Sequence, residues 1–231
     1  MTGVQLVGGT LQVFPHVEQR SDAWYQLRLG IMTASAVHGL LTTKTLAVAD
    51  NDTSRGLIAT AAAERIAGFV DPTYQSIDMM RGANDEPVAA HAYSEHHGPV
   101  TECGFMVRTW DGVRLGYSPD GLVGDDGLIE IKSRRGKKHV ETVVAGEVPA
   151  ENMAQIQAGL LVSGRAWCDY VSYSAGLHLW TKRVYPDDRW FEAIRAAVEA
   201  FERAVSTTVF AYTRAVAGLP LTERPVLDLV I

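Results

Sequence analysis

The most constraining stretch of this 231-residue chain is a short one. Leu122-Val123, the turn Gly124-Asp125-Asp126-Gly127 and Leu128-Ile129-Glu130-Ile131-Lys132 read as a tight β-hairpin. The second strand is apolar except for Glu130 and Lys132, and a charge inside such a strand is costly without a partner. Residues two apart on a strand share a face at a separation of about 6.5–7 Å. Glu130 and Lys132 therefore project together, while Ile129 and Ile131 turn the other way, into a core. Asp120, at the end of Gly116-Tyr117-Ser118-Pro119-Asp120, lies at the far side of the hairpin, so closing the turn brings it beside Glu130. Two carboxylates in one place repel, and a hard divalent cation between them removes the repulsion. A lysine beside that cation orients or deprotonates a water, or neutralises a developing charge. The set suits attack of metal-activated water on a phosphodiester. The bland alternative is a surface hairpin with solvated charges.

Around the hairpin, hydrophobic periodicity separates helices from strands. Ser21 is a candidate N-cap for a helix through Trp24, Leu27 and Arg28 that Gly30 ends, and Thr33 caps a second short helix through Ala34, Val37 and Leu41. An Ala-rich helix runs near Ser54–Ala67 with Gly68 past its end. Residues 85–97 form another, with Ala89, Ala90 and Tyr93 on its apolar side and Gly98-Pro99 as its stop. The period then changes from helical to alternating. Residues 101–109 and 113–117 read as strands joined near Asp111-Gly112, ahead of the hairpin. After a basic segment at 132–139 come a helix from near Glu151 to Gly164, strands at about 167–174 and 178–185, and a long helix from about Asp187 to Ala217. With no internal repeat and no linker-like stretch, this order predicts one domain over residues 1–231. Its class is α/β, with a central mixed sheet flanked by helices.

Composition narrows the function. The chain carries 27 Asp and Glu against 21 Lys and Arg, a formal charge of −6, which points away from coating nucleic acid by charge alone. Hydrophobic content of 47% with 21% charged residues is ordinary for a globular protein and argues against long disorder. The apolar runs fall short of the ~18–20 residues that span a bilayer. Met1 to Thr10 show no basic stretch followed by an apolar core, so no signal peptide is expected. Two cysteines, Cys103 and Cys168, cannot build a four-thiolate zinc or iron–sulfur site and point to a reducing compartment. The expected location is cytoplasmic.

The residues also match a family pattern. Pro119-Asp120 with Glu130-Ile131-Lys132 resembles the PD-(D/E)xK nuclease signature. The wider pattern resembles one branch, the bacteriophage lambda exonuclease and its YqaJ-type viral recombinase relatives. Four blocks carry the likeness. They are Asp22-Ala23-Trp24 with Leu27-Arg28-Leu29-Gly30 and Thr33-Ala34-Ser35; Gly82 with Glu86; Ser118-Pro119-Asp120-Gly121 through Lys132; and Met153-Ala154-Gln155-Ile156-Gln157. With their order and spacing the resemblance covers residues 22–173, about two-thirds of the chain. The D…ExK piece alone is a weak signal, whereas four ordered blocks are specific.

The resemblance implies a restriction-endonuclease-like fold and a processive, Mg²⁺-dependent 5′-to-3′ exonuclease acting on double-stranded DNA ends. Two Mg²⁺ ions are implied, with Mn²⁺ as a substitute. Asp120, Glu130 and the Ile131 carbonyl would hold one ion, Asp120 and Glu86 the second, and Lys132 would orient or activate the attacking water. Arg28, Ser35, Ser118 and Gln155 match positions that bind phosphate, the 5′-terminal phosphate in particular. A guanidinium fork, hydroxyls and an amide are fit donors for phosphate oxygens. The resemblance further implies a ring-shaped homotrimer, a single-strand annealing recombinase as partner, and a bacterial host cytoplasm for a phage-encoded chain.

Each residue has a plainer reading too. Arg28 near a helix end complements the helix dipole, and Glu86 before Pro87 reads as a first-turn acid. Ser35 fits a helix cap and Ser118 the turn before Pro119. Gln155 and Gln157 are two apart on one helix, so they cannot both face the same point; the family pattern favours Gln155. Lys132–Lys138 holds five basic residues in seven and no acid. Arg134, Arg135, Lys137 and Lys138 thus offer either a DNA backbone contact, weakening with salt, or a solvated loop. Trp24 and Tyr25 offer rings for stacking on a base, though Trp24 at helical spacing from Leu27 also reads as core.

Other chemistries find no support. Gly116-Tyr117-Ser118-Pro119-Asp120 lacks the final glycine of a nucleophile elbow, no phosphate-binding loop for ATP is present, and His91, His96 and His97 beside Glu95 do not form HExxH. Two alternatives to the exonuclease stay open: a PD-(D/E)xK endonuclease of the repair or restriction type, and a non-catalytic DNA-binding module on the same fold.

Overall fold

The computed structural model describes residues 8–42, 44–71 and 76–224. The expectation about the first residues falls largely on 1–7, outside the described residues. In place of one central sheet there are two. The first runs β1-β4-β5-β2, from β1 (Thr10–Phe14), β2 (Met32–Thr33), β4 (Phe105–Trp110) and β5 (Val113–Tyr117). The second runs β3-β6-β7-β8-β9, from β3 (Val100–Thr101), β6 (Gly121–Val123), β7 (Gly127–Ser133), β8 (Trp167–Tyr173) and β9 (Trp180–Val184). Both are mixed. β2 runs parallel to β5, β7 runs parallel to β8, and the remaining pairs are antiparallel. The β7–β8 pair needs a long crossover. The helices α4 (Gly136–Ala145) and α5 (Ala150–Ser163) supply it.

A short break splits what periodicity reads as one strand over 101–109 into β3 and β4. Cys103-Gly104 breaks the run because the chain passes so close to the Val17 carbonyl that a Cβ on Gly104 would lie 1.9 Å from its oxygen. β1, unread in the sequence, closes the edge of the first sheet by pairing Thr10–Phe14 with Phe105–Thr109. Thr33 does not cap a helix. Met32 and Thr33 form β2, and only a 3₁₀ turn at Val37–Leu40 follows. The parallel ladder to β5 outbids the local cap.

The remaining helices are α1 (Asp22–Arg28), α2 (Asp52–Ala67), α3 (Ile77–His97) and α6 (Asp188–Ala215). In α1 the Ser21 hydroxyl accepts from the Trp24 N–H at 3.3 Å, and in α2 Asn51 and Ser54 form a reciprocal capping box. α3 begins eight residues before the expected 85, capped by Ser76, and Pro87 is accommodated inside it. Glu86 therefore sits in mid-helix rather than in a first turn. The segment 132–139 is not a loop throughout, since Lys137 and Lys138 belong to the first turn of α4. The main core lies between α5, with Ile156, Leu160 and Leu161, and α6, with Phe191, Ile194, Val198 and Phe201, against Leu115 and Tyr117 of β5. Among the described residues no helix is long and apolar enough to cross a membrane.

Candidate active site

Asp120 stands where the chain leaves one sheet for the other. β5 ends at Tyr117, β6 begins at Gly121, and Ser118-Pro119-Asp120 is the entire crossing. Asp120 Oδ2 accepts from the backbone N–H of Ile131 at 2.6 Å. That bond fixes a second group. In a strand, a residue's N–H and C=O point to the same side, and β6 stops pairing at Gly121–Ile129. The Ile131 carbonyl therefore faces the Asp120 side with no ladder partner from β6. Glu130 and Lys132 share the other face of β7, with Lys132 Nζ 2.6 Å from Glu130 Oε1 and 3.0 Å from Gln155 Oε1 of α5. Ile129 and Ile131 pack on the opposite side with Tyr93, Val123 and Val171.

The electrostatics are those of crowded anions. Glu130 is fully buried. Its Oε1 meets the Lys132 ammonium off the hydrogen-bonding direction, and its Oε2 has no donor among the described residues. Burial, then Glu130 and Glu86, hold the Asp120 carboxyl well above the usual carboxylate range. Burial also raises Glu86, against the pull of Arg20. Burial disfavours the Lys132 ammonium, yet Glu130 and Asp120 overrule it and raise its pKa. No three His, Cys, Asp or Glu side chains among the described residues close on one point as a ready-made metal cage. Even so, a buried carboxylate oxygen without a donor, a neighbouring aspartate and a strand carbonyl form an all-oxygen donor set, and that set fits a hard divalent cation.

A second region adjoins this one. A cavity of about 330 Å³ is lined by Arg20, Trp24, Arg28, Thr33 and Glu64 among others. A larger one, about 800 Å³, is lined by Arg20, Glu86, Glu102, Pro119 and Asp120 among others. The parallel β2–β5 pairing, with Thr33 opposite Gly116, brings the Arg28 and Ser35 block to Ser118. Trp24 Nε1–H donates to Ser118 Oγ at 2.8 Å, and the Arg28 guanidinium lies 4.0 Å over the Trp24 ring. Burial lowers the Arg28 pKa to about 10, so the group stays charged at neutral pH. Ser35 is exposed, its Oγ 3.3 Å from Thr33 Oγ1.

Sequence reasoning missed what holds this pocket from behind. Gly30 (φ 64°) gives its N–H to Glu64 Oε2 at 2.7 Å and its carbonyl to Arg65 Nε at 2.8 Å. Arg65 in turn makes a two-pronged pair with Glu202 of α6, both contacts at 2.6 Å. No spacing rule links positions 30, 65 and 202.

The other expected contacts divide. Gln155 faces Lys132, whereas buried Gln157 donates to the Tyr185 carbonyl at 2.9 Å and accepts from the Asp187 N–H at 3.0 Å, tying α5 to the start of α6. Arg134 turns inward to Tyr170, Asn152 and Glu151. Arg135 pairs with Asp78 at 3.0 Å. Lys137 and Lys138 are exposed on α4, with Lys137 at 3.9 Å from Glu141. The run lacking acids in sequence meets acids from other elements in space. His91 lines the larger cavity at its exposed rim, and His97 stacks on Tyr93.

A family model described as the YqaJ-like viral recombinase domain matches residues 23–166. The chain belongs to that family. Among solved structures, an alkaline exonuclease from Laribacter hongkongensis is similar at 32% identity and a TM-score of 0.76, over 87% of this chain and 100% of that one. The same enzyme in complex with dAMP is similar at 32% identity and a TM-score of 0.75, with the same coverage. A phage-related exonuclease from Haemophilus somnus 129PT, at 11% identity and a TM-score of 0.58 over 79% of this chain and 96% of that one, is similar in fold alone. No curated protein matches. This YqaJ-family member thus has the PD-(D/E)xK restriction-endonuclease-like fold and is a nuclease of the lambda exonuclease type.

Proposed function

We propose that this nuclease degrades one strand of linear double-stranded DNA from its 5′ end, needs a divalent metal, and leaves 3′ single-stranded tails. The observation that carries the reading is the adjacency of the two cavities, one edged by carboxylates and one by a half-buried guanidinium, which share Arg20 in their walls and are linked to Ser118-Pro119-Asp120 by the Trp24–Ser118 hydrogen bond on one side and by Asp120 itself on the other. An enzyme that cuts only at ends needs a group that reads the terminal phosphate beside the group that cuts. That a similar enzyme has been captured with dAMP supports a nucleotide-sized product.

Asp120, Glu130 and the Ile131 carbonyl would hold one Mg²⁺ and Asp120 with Glu86 a second, Mn²⁺ being an expected substitute. Bound there, the metal would supply Lewis-acid stabilisation of phosphate charge and a more acidic water. Lys132, fixed between Glu130 and Gln155, keeps its ammonium aimed at the carboxylates, where it orients a water and offsets charge on the phosphate oxygens. Arg28, with Ser35 and Ser118 nearby, would receive the terminal phosphate, and exposed Lys137 and Lys138 would meet the backbone farther out. Arg134 and Arg135, already engaged by protein partners, would act on DNA mainly through their charge.

We read residues 1–231 as one domain, three copies of which would enclose the duplex, with a single-strand annealing recombinase taking up the 3′ tails in the host cytoplasm. The deciding experiment is digestion of end-labelled linear duplex, with and without 5′-phosphate, alongside covalently closed circles. Release of 5′-mononucleotides from linear DNA with Mg²⁺, and intact circles, is expected. Cut circles would turn the reading to an endonuclease. Binding without hydrolysis in any divalent metal would leave a DNA-binding module. Light scattering that reports a monomer would remove the ring.

A further inference from the structure

Arg20 is the charged side chain beside the site that neither the carboxylate cluster nor the Arg28 pocket accounts for. It sits on the loop between β1 and α1 with φ at 70°, a left-handed conformation that disfavours any residue with a Cβ. The loop is pinned there. Gln19 Nε2 donates to the Pro119 carbonyl at 3.3 Å, Ser21 donates through its N–H and hydroxyl to the Glu18 carbonyl at 3.2 and 2.7 Å, and the Gly104 N–H reaches the Pro15 carbonyl at 3.3 Å. A strained residue is thereby fixed next to the crossing that carries Asp120.

Its side chain is exposed and lines both cavities, the one with Trp24 and Arg28 and the one with Glu86 and Asp120. The neighbouring arginines are engaged, Arg28 over Trp24, Arg65 by Glu202 and Arg134 by Asn152. The Arg20 guanidinium has no hydrogen-bond or ion-pair partner among the described residues. A cavity edged by carboxylates is a poor host for a polyanion unless a cation faces it. Arg20 does so, and it is the largest counter-charge acting on Glu86.

We propose that Arg20 grips the scissile phosphate, its guanidinium donating to a non-bridging oxygen between the 5′ end held near Arg28 and the carboxylates Asp120 and Glu86. The proposal rests on the exonuclease reading above. A planar fork suits two phosphate oxygens, and the contact strengthens as charge builds on them in the transition state. The strained backbone is consistent with this role, because a turn needing only that conformation would be served better by glycine.

Arg20→Gly and Arg20→Lys test it. Each is measured for Tm, for binding of 5′-phosphorylated and 5′-hydroxyl duplexes in EDTA across a salt series, and for initial rates with Mg²⁺. Arg20→Gly is expected to keep or raise Tm and to lower kcat by about 10–100-fold on both substrates alike. It should also reduce the slope of log affinity against log salt by about 1. Arg20→Lys should recover part of both losses. Wild-type rates and salt slope in Arg20→Gly would overturn the proposal. So would a loss confined to the 5′-phosphorylated duplex, which would place Arg20 in the Arg28 pocket. If the wild-type protein digests no linear duplex, the exonuclease reading fails, and the EDTA binding series alone decides whether Arg20 meets phosphate.

Discussion

At the Asp120 end of the larger cavity, carboxylates of the crossing, α3 and β7 crowd together, and the half-buried Lys132 is the cation set against them. In the smaller, Arg28 is half-buried over Trp24 and has no carboxylate at ion-pair distance among the described residues. The two regions have opposite deficits, one short of positive charge and the other of negative. Both lie within reach of the same three-residue crossing. A DNA end arriving with divalent cations brings what each lacks, so binding relieves electrostatic tension on both sides of the crossing at once.

The contrast breaks hardest at Asp120. Asp120→Asn should cut the rate of DNA hydrolysis by at least about 10³-fold. The same change should stabilise the metal-free protein at pH 8 by about 1–2 kcal/mol, since it removes one of the crowded charges while keeping an acceptor for the Ile131 N–H. The sign follows from the raised Asp120 pKa: ionising this group weakens the fold as pH climbs above about 4, so the advantage of asparagine should vanish below that value. Urea unfolding in EDTA at both pH values reads it.

On the cationic side, Arg28→Ala should reduce the preference for 5′-phosphorylated over 5′-hydroxyl ends by about 30–100-fold, measured as a ratio of kcat/KM values, with less effect on 5′-hydroxyl substrates. Glu202→Gln works on that pocket from behind. It should cost about 1–2 kcal/mol by loosening Arg65 from α6. Hydrogen bonds from Arg65 hold the Glu202 pKa below its usual value. Its contribution is therefore complete above about pH 4.3 and fades as pH falls through the lowered value. The variant should lose part of the acid-side drop in stability seen in the wild type. The smallest effect belongs to α4, where Lys137→Ala and Lys138→Ala should each lower the salt slope of DNA binding by about 1 and leave kcat unchanged.

The carboxylate cluster beside the larger cavity was more legible in the sequence than the smaller pocket, for a physical reason. Asp120, Glu130 and Lys132 lie within one hairpin, where alternation alone predicts which side chains share a face. Glu86 required the family pattern, because it lies on a helix that starts at Ile77, far from the hairpin in sequence. The smaller pocket depends on a two-residue parallel strand at Met32–Thr33 and on a tie from Gly30 through Arg65 to Glu202, and such long-range pairing leaves no local period. The basic run misled for the same reason. Asp78 and Glu151 meet it from α3 and α5, so a linear count overstates the charge that remains free.

The crossing itself has a further consequence. Ser118 and Asp120 are two residues apart, so their Cα atoms are separated by at most about 7 Å whatever side chains surround them. Under the proposed activity, the distance between where an end is sensed and where the strand is cut is written into covalent backbone geometry. The size of the excised piece is then a fixed gauge. Substitutions around either cavity should change how fast the enzyme steps, and not how far.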